Sequence, residues 1–369
     1  MAIRPPDRIF DDIVQKKGKG APIRRQLTAG KQRNWLLALT LHSFAKHAEG
    51  APLTDLEQSI VSAYRKNGIT DAEIKQQGLA TKRLPAAVRK EIYPGRFAEL
   101  HTGSAYSFKD LKKDAPGLTR SFLAMPNVAT IDVDAVHAGQ ATLADFQLAG
   151  RGVRREYGGE ALVALAPNVD TAARAAARYT IKATKFRCND RAGDSIFGPS
   201  NEAYWIFGAV GDSAPDKART TRSQVFGDVD SGESRTFAAQ DGIVWGPSGV
   251  AQELPDGEVG VLIQLWEHDE GDPKRAQDVV KAAFATAAGI LAATGVAAWV
   301  GAVVAGVGAV IHLLLGFMDD DHIADQVFAI TRKTIEDQIK KAGQSFEVVK
   351  RFDDGDADYS LTVKVSRVA

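Results

Sequence analysis

Two periods divide the chain. From residue 33 to about 125, apolar side chains recur at mixed three- and four-residue spacing. Trp35, Leu36, Leu39, Leu41 and Phe44 form one such run, and Leu56, Ile60, Val61 and Tyr64 form another. That spacing places them on one face of a helix. Thr54 with Glu57, and Thr70 with Glu73, have the spacing of capping boxes, in which hydroxyl and carboxylate each satisfy an orphan N–H at a helix start. The first of these helices is expected to end near Asn67-Gly68. Another opens at Pro85, runs through Ala87, Val88 and Ile92, and stops at Pro94-Gly95. Short amphipathic helices joined by brief turns predict a small helical bundle over 33–125.

Beyond residue 178 the period is two. Tyr179, Ile181 and Ala183 alternate with polar neighbours. So do Tyr204, Ile206 and Gly208, then Val259, Val261, Ile263 and Leu265, and last Leu361, Val363 and Val365. Gly, Pro and Asp clusters separate them, among them Gly198-Pro199, Gly246-Pro247 and Pro255-Asp256-Gly257. Short alternating strands with such punctuation predict an antiparallel β-sandwich over 178–369. Residues 126–177 read as a connector with one alternating segment (Val128, Thr130, Asp132, Asp134) and an Ala-rich helical run at 171–177.

One segment follows neither period. From Ala282 to Met318 no Asp, Glu, Lys or Arg occurs. A single membrane span needs about 20 apolar residues, so the stretch is too long for one span and slightly short for two. A helical hairpin inserted at 278–318 fits better, breaking between Gly295 and Gly301 with Trp299 near its tip. Gly289, Ala293, Ala297, Gly301, Ala305 and Ala309 recur every four residues, a spacing that lets helices approach closely. Gly289, Gly295, Trp299, Gly301 and Leu314 are the residues expected to matter for insertion. Three readings compete: a hairpin stowed and inserted after a trigger, a hairpin that is permanent core, and a constitutive anchor.

Charge sharpens this picture. The chain's 46 Lys+Arg balance 46 Asp+Glu, but residues 1–120 carry 22 basic and 12 acidic side chains, and residues 121–369 carry 24 and 34. Residues 1–32 are basic and weakly patterned, and no acid occurs between Lys16 and Arg33. They read either as a flexible tail or as an anchor for an anionic surface, where each Lys or Arg contributes about 1 kcal/mol. The start has no signal-peptide apolar stretch, so secretion would use a non-Sec route. No aromatic residue interleaves the basic run, which argues against nucleic acid. A single cysteine, Cys188, rules out a disulfide framework and a Cys-based zinc site.

The acids of the second half collect between strands. Asp190 and Asp194 precede Glu202-Ala203-Tyr204; Leu265-Trp266-Glu267-His268-Asp269 closes a later strand; and Asp319-Asp320-Asp321-His322-Ile323 follows the apolar segment. Solvated acidic turns are common, but carboxylates that converge need a cation. The order and spacing resemble those of a C2 domain. The resemblance implies an eight-stranded sandwich that binds Ca2+ and then acidic lipid. Carried over position by position, it implies cation ligands at Asp190 or Asp194, Glu267, Asp269, and Asp320 or Asp321. Glu267 stands where that family has Asp, Ala324 where it has Gly, and about fifty residues separate Asp269 from Asp319.

No nucleophile elbow, P-loop or zinc-protease motif is present. His42 and His47 are five residues apart and share no helix face as a metal pair would; His101 has no visible base–acid partner. The expectation is therefore an α+β multidomain protein: a helical bundle, then a C2-like antiparallel β-sandwich carrying a helical hairpin. Its expected function is membrane activity, as in a bacterial pore-forming toxin or secreted effector, with a lipid membrane as conditional partner and self-association on insertion. The alternative is a soluble binding or scaffold module whose hairpin is core. An enzyme would instead present a concave polar site within residues 33–175.

Overall fold

The structure, a computed structural model, describes residues 6–142, 151–164, 177–191, 201–211, 218–246, 249–254, 257–268, 272–295, 299–316 and 321–368. Seven helices come first: α1 (Pro6–Gln15), α2 (Gly20–Ala29), α3 (Trp35–Ala48), α4 (Asp55–Lys66), α5 (Asp71–Thr81), α6 (Ala86–Ile92) and α7 (Phe108–Leu123). Then follow β1 (Val128–Ile131), α8 (Val133–His137), α9 (Arg151–Tyr157), β2 (Gly159–Ala164), β3 (Arg178–Asp190) and β4 (Asn201–Gly211). Next are β5 (Arg219–Arg222), β6 (Phe226–Val229), β7 (Ser234–Thr236), β8 (Ile243–Trp245), β9 (Gln252–Glu253) and β10 (Glu258–Glu267). The apolar segment forms α10 (Pro273–Thr294) and α11 (Val300–Leu315), after which come β11 (Asp321–Thr331), α12 (Arg332–Gln338), β12 (Ser345–Asp353) and β13 (Asp358–Arg367).

The protein is an α+β multidomain protein of two compact units. One comprises residues 1–125 with 269–321, the other 126–268 with 322–369. The apolar hairpin is thus inserted in the sequence of the strand-rich half but belongs to the helical unit.

In the helical unit, both capping boxes are formed: Glu57 accepts from the Thr54 N–H at 2.8 Å, and Glu73 accepts from the Thr70 N–H at 2.8 Å. Helix α3 is the buried centre, with every residue from Trp35 to Lys46 covered. The reading of residues 1–32 as a flexible tail needs correction for the described part. Helices α1 and α2 bury Ile9, Phe10, Ile13, Ile23 and Leu27, an apolar stripe diluted in the sequence by the charges around it. Arg24 of the basic run is itself buried, where it donates to the Ile13 carbonyl at 3.1 Å and pairs with Glu91.

In the second unit two sheets share a core. One has the order β1-β2-β11-β10-β4-β5, with β6 also on β4; the other has the order β12-β13-β3-β7, with β8 and β9 also on β3. Phe186 of β3 meets Trp205 of β4 at 5.5 Å across the layers, and Phe352 of β12 meets Trp205 edge-on at 4.8 Å. The printed pairings among strands within 178–369 are antiparallel, as expected, and one sheet becomes mixed through the earlier strand β2, to which β1 and β11 both run parallel. The described residues hold thirteen strands, against the eight that the C2 resemblance implies. The stretch read as a connector supplies two of these strands. β2 is buried at all six positions, and a strand covered on both faces carries no alternation for the sequence to display. The helical run expected at 171–177 falls outside the described residues except for Ala177.

Candidate functional site

The hairpin, charged at the start of its first helix and uncharged from Ala282 onward, is built from unequal arms. Asp272 caps α10, accepting from the Lys274 N–H at 2.9 Å and the Arg275 N–H at 3.3 Å. The helix ends at Gly295, whose φ of +54° is the left-handed conformation that glycine adopts without a Cβ penalty. Helix α10 is long and apolar enough over Lys274–Thr294 to cross a membrane, and 61% of that apolar window is buried. Its 22 residues correspond to about 33 Å at 1.5 Å per residue, enough for the hydrocarbon core. Helix α11 is shorter, with sixteen residues, and every one is buried. The threonines of α10 return their hydroxyls to the helix backbone, Thr286 to the Ala282 carbonyl and Thr294 to the Ile290 carbonyl. They therefore add no unsatisfied polar group to the apolar surface.

The five residues nominated for insertion have separate places. A Cβ on Gly289 would lie 3.5 Å from the Ser59 hydroxyl, so this small residue faces α4. Gly295 is the helix stop. Trp299, expected near the tip, precedes α11 and is fully buried, stacked on Trp35 of α3 with centroids 5.5 Å apart. Gly301 and Leu314 are both buried in α11. Gly306 brings α11 against α3, for a Cβ there would come within 2.9 Å of the Leu36 Cβ. At these positions the small residues let the hairpin close against its sheath of helices, a use of small-residue spacing that the sequence could not tell from pairing within the hairpin.

The charged ends of the hairpin are tied to the same sheath. Arg275, at the start of α10, pairs with Glu73 of α5 at 2.5 Å and donates to the Gly68 carbonyl at 2.9 Å. Asp321, beyond the other end, pairs with Lys19 at 2.9 Å. Sequence reasoning missed Arg275 and Lys19, and it placed Glu73 only as a cap and Trp35 only as a helix-face residue. Their partners across the unit lie far away in the chain.

The nominated cation ligands are only partly described, since Asp194, Asp269 and Asp320 fall outside the described residues. Asp190 ends β3 opposite Asp358, Glu267 ends β10 opposite Ala203 in the other sheet, and Asp321 faces Lys19. Among the described residues, no three His, Cys, Asp or Glu side chains group so as to hold a metal ion. Asp325, four residues beyond Asp321, is fully buried, with the Gln264 amide and the His322 ring nitrogen each 2.7 Å from its Oδ1.

No protein-family model matches the chain, and no curated protein matches it. Among solved structures, human GIVD cytosolic phospholipase A2 is similar over 53% of this chain at a TM-score of 0.24 and 11% identity. A complex of that enzyme with methyl gamma-linolenyl fluorophosphonate gives 0.23 and 10% over 52%. This chain spans only 17% of the length of those phospholipase chains. CC2D1B, which coordinates ESRCT-III activity during the mitotic reformation of the nuclear envelope, is similar at a TM-score of 0.23 and 10% identity, over 55% of this chain and 60% of that one.

Proposed function

We propose that the protein is membrane-active, storing the α10–α11 hairpin inside its helical unit and releasing it at a lipid surface. One observation carries the reading: a hairpin without a formal charge from Ala282 onward, and buried at every residue of its second arm, is held by ion pairs at both of its charged ends. Ion pairs that are partly exposed contribute little stability, about 0–1 kcal/mol each. They are sensitive to pH, salt and an anionic surface, which suits them to a latch rather than to a foundation. In this reading the C2-like sandwich is the docking module, Ca2+ bound at its acidic loops strengthens docking, and inserted hairpins self-associate. A protein of this design is soluble until triggered, as a pore-forming toxin or secreted effector must be.

A second reading is favoured by the Trp35–Trp299 stack, a contact suited to permanent core. Vesicles of anionic lipid with brominated acyl chains separate the two. Insertion predicts quenching of tryptophan fluorescence and leakage of trapped dye at pH 5 or with Ca2+. Neither signal at pH 7.4 or 5, with or without Ca2+, would leave the hairpin as ordinary core.

A further inference from the structure

The helical unit contains a second feature that the membrane reading does not use. Between α3, α6 and the segment leading to His101 lies a pocket of about 300 Å3, at the lower limit for small-molecule sites. Leu41, Leu84 and Phe97 give it an apolar side. Its polar side is made by His42, Lys82, Arg89, Tyr93, His101 and Thr102.

Arg89 lies on α6 and Tyr93 is the residue that caps its C-terminus, the Tyr93 N–H donating to the Arg89 carbonyl at 2.9 Å. Arg89 donates one Nη1 bond to the Leu100 carbonyl at 3.2 Å and has no carboxylate partner among the described residues. Its Nε is buried with no acceptor, and so is the Tyr93 hydroxyl on a residue only 3% exposed. A buried donor left unsatisfied costs about 1–3 kcal/mol, so two together at one pocket call for an acceptor. Burial pushes the Tyr93 hydroxyl above its usual range, so it stays protonated and can only donate to an anion. His101 accepts the Gly103 N–H at Nδ1, which makes Nε2 its donor in the neutral ring. The nearby acids are already engaged: Glu49 by Lys82 and Thr102, and Glu57 by His42 and Lys46.

We propose that this pocket binds a small organic anion, a carboxylate or phosphate monoester attached to a compact apolar group, with Arg89 and Tyr93 holding the anionic head. The proposal is independent of the fate of the hairpin.

Titration calorimetry of the full chain tests it with phenyl phosphate, phenylacetate, inorganic phosphate and phenol. Saturable binding of phenyl phosphate or phenylacetate is expected, with phenol and inorganic phosphate at least about tenfold weaker; which of the two aryl anions binds tighter identifies the head group. Tyr93→Phe removes a hydroxyl that has no partner, so its melting temperature should equal or exceed that of the parent while its affinity falls about tenfold. Arg89→Gln should abolish the preference for the anions over phenol. The proposal is overturned if neither aryl anion binds at millimolar concentration, or if both variants bind as the parent does.

Discussion

Trp299 stacks on Trp35 with ring planes 20° from parallel, joining the start of α11 to the start of α3. Both rings are fully buried, so this pair fixes the hairpin where it turns back into the helical unit. Trp299→Ala should cost about 3–5 kcal/mol, visible as a lower thermal midpoint. If the hairpin is releasable, the same variant should leak vesicles under milder conditions than the parent. If the hairpin is only core, stability falls and leakage stays absent.

Gly306 tests the close approach of α11 to α3. Gly306→Val should cost about 1–3 kcal/mol by forcing Leu36 aside. Adding Leu36→Gly removes the Cβ that is met, so the loss in the double variant should fall short of the sum of the two single losses. Strictly additive losses by chemical denaturation would contradict the contact.

The latch makes a different prediction. Arg275→Gln with Lys19→Gln removes both end clamps, and because the pairs are partly exposed, stability should fall by no more than about 1 kcal/mol per pair. The rate of vesicle leakage should nevertheless rise, and the parent's rate should approach the variant's at high salt. A variant with the parent's leakage rate would remove these pairs from the release step.

Glu57 supplies a pH dependence. Burial alone would raise its carboxyl, but hydrogen bonds from His42, Lys46 and the Thr54 backbone prevail and hold it at about 2. A pKa depressed on folding means stability that is complete above the unfolded value near 4.5 and is lost as pH falls from there through 2. The magnitude at neutral pH is about 3 kcal/mol. Glu57→Gln should flatten the stability profile across that window and destabilise the protein at pH 7, since Lys46 is left buried without its counter-charge. An unchanged slope between pH 5 and 2 would refute the assignment.

Cys188 reports on the second unit. It is fully buried, and burial pushes its thiol up. A thiol reagent should label it only on unfolding, at a rate that follows denaturant concentration; rapid labelling of the native protein would contradict the core packing around β3.

Much of the fold was legible locally. Thr54 with Glu57 and Thr70 with Glu73 marked two helix starts, and Pro85 marked a third, because caps are written in residues three apart. The alternation of Tyr179, Ile181 and Ala183 marked β3, whose side chains point in turn to core and solvent. Strand β2 was invisible, because it is buried at every position, and α1 was hidden among charges. The candidate latch was only half visible: the uncharged run showed where the hairpin lies, and Arg275 and Lys19 showed nothing until their partners were known. The pocket around Arg89 and Tyr93 left no signal as a site, since α3 and the stretch from Thr81 to Thr102 that wall it lie far apart in the chain.

By itself the sequence determined the elements that depend on neighbours within a turn or two: capped helices, alternating strands and one stretch of 37 residues without charge. The tertiary structure decided which surfaces those elements bury. The hairpin could have packed on the strands that flank it in sequence, yet it closes against α3 and α4, where Gly306 and Gly289 admit near neighbours and Trp35 receives Trp299. Hydrophobic burial is non-directional, so an apolar run specifies that it will be covered. Only shape complementarity between distant side chains specifies by what.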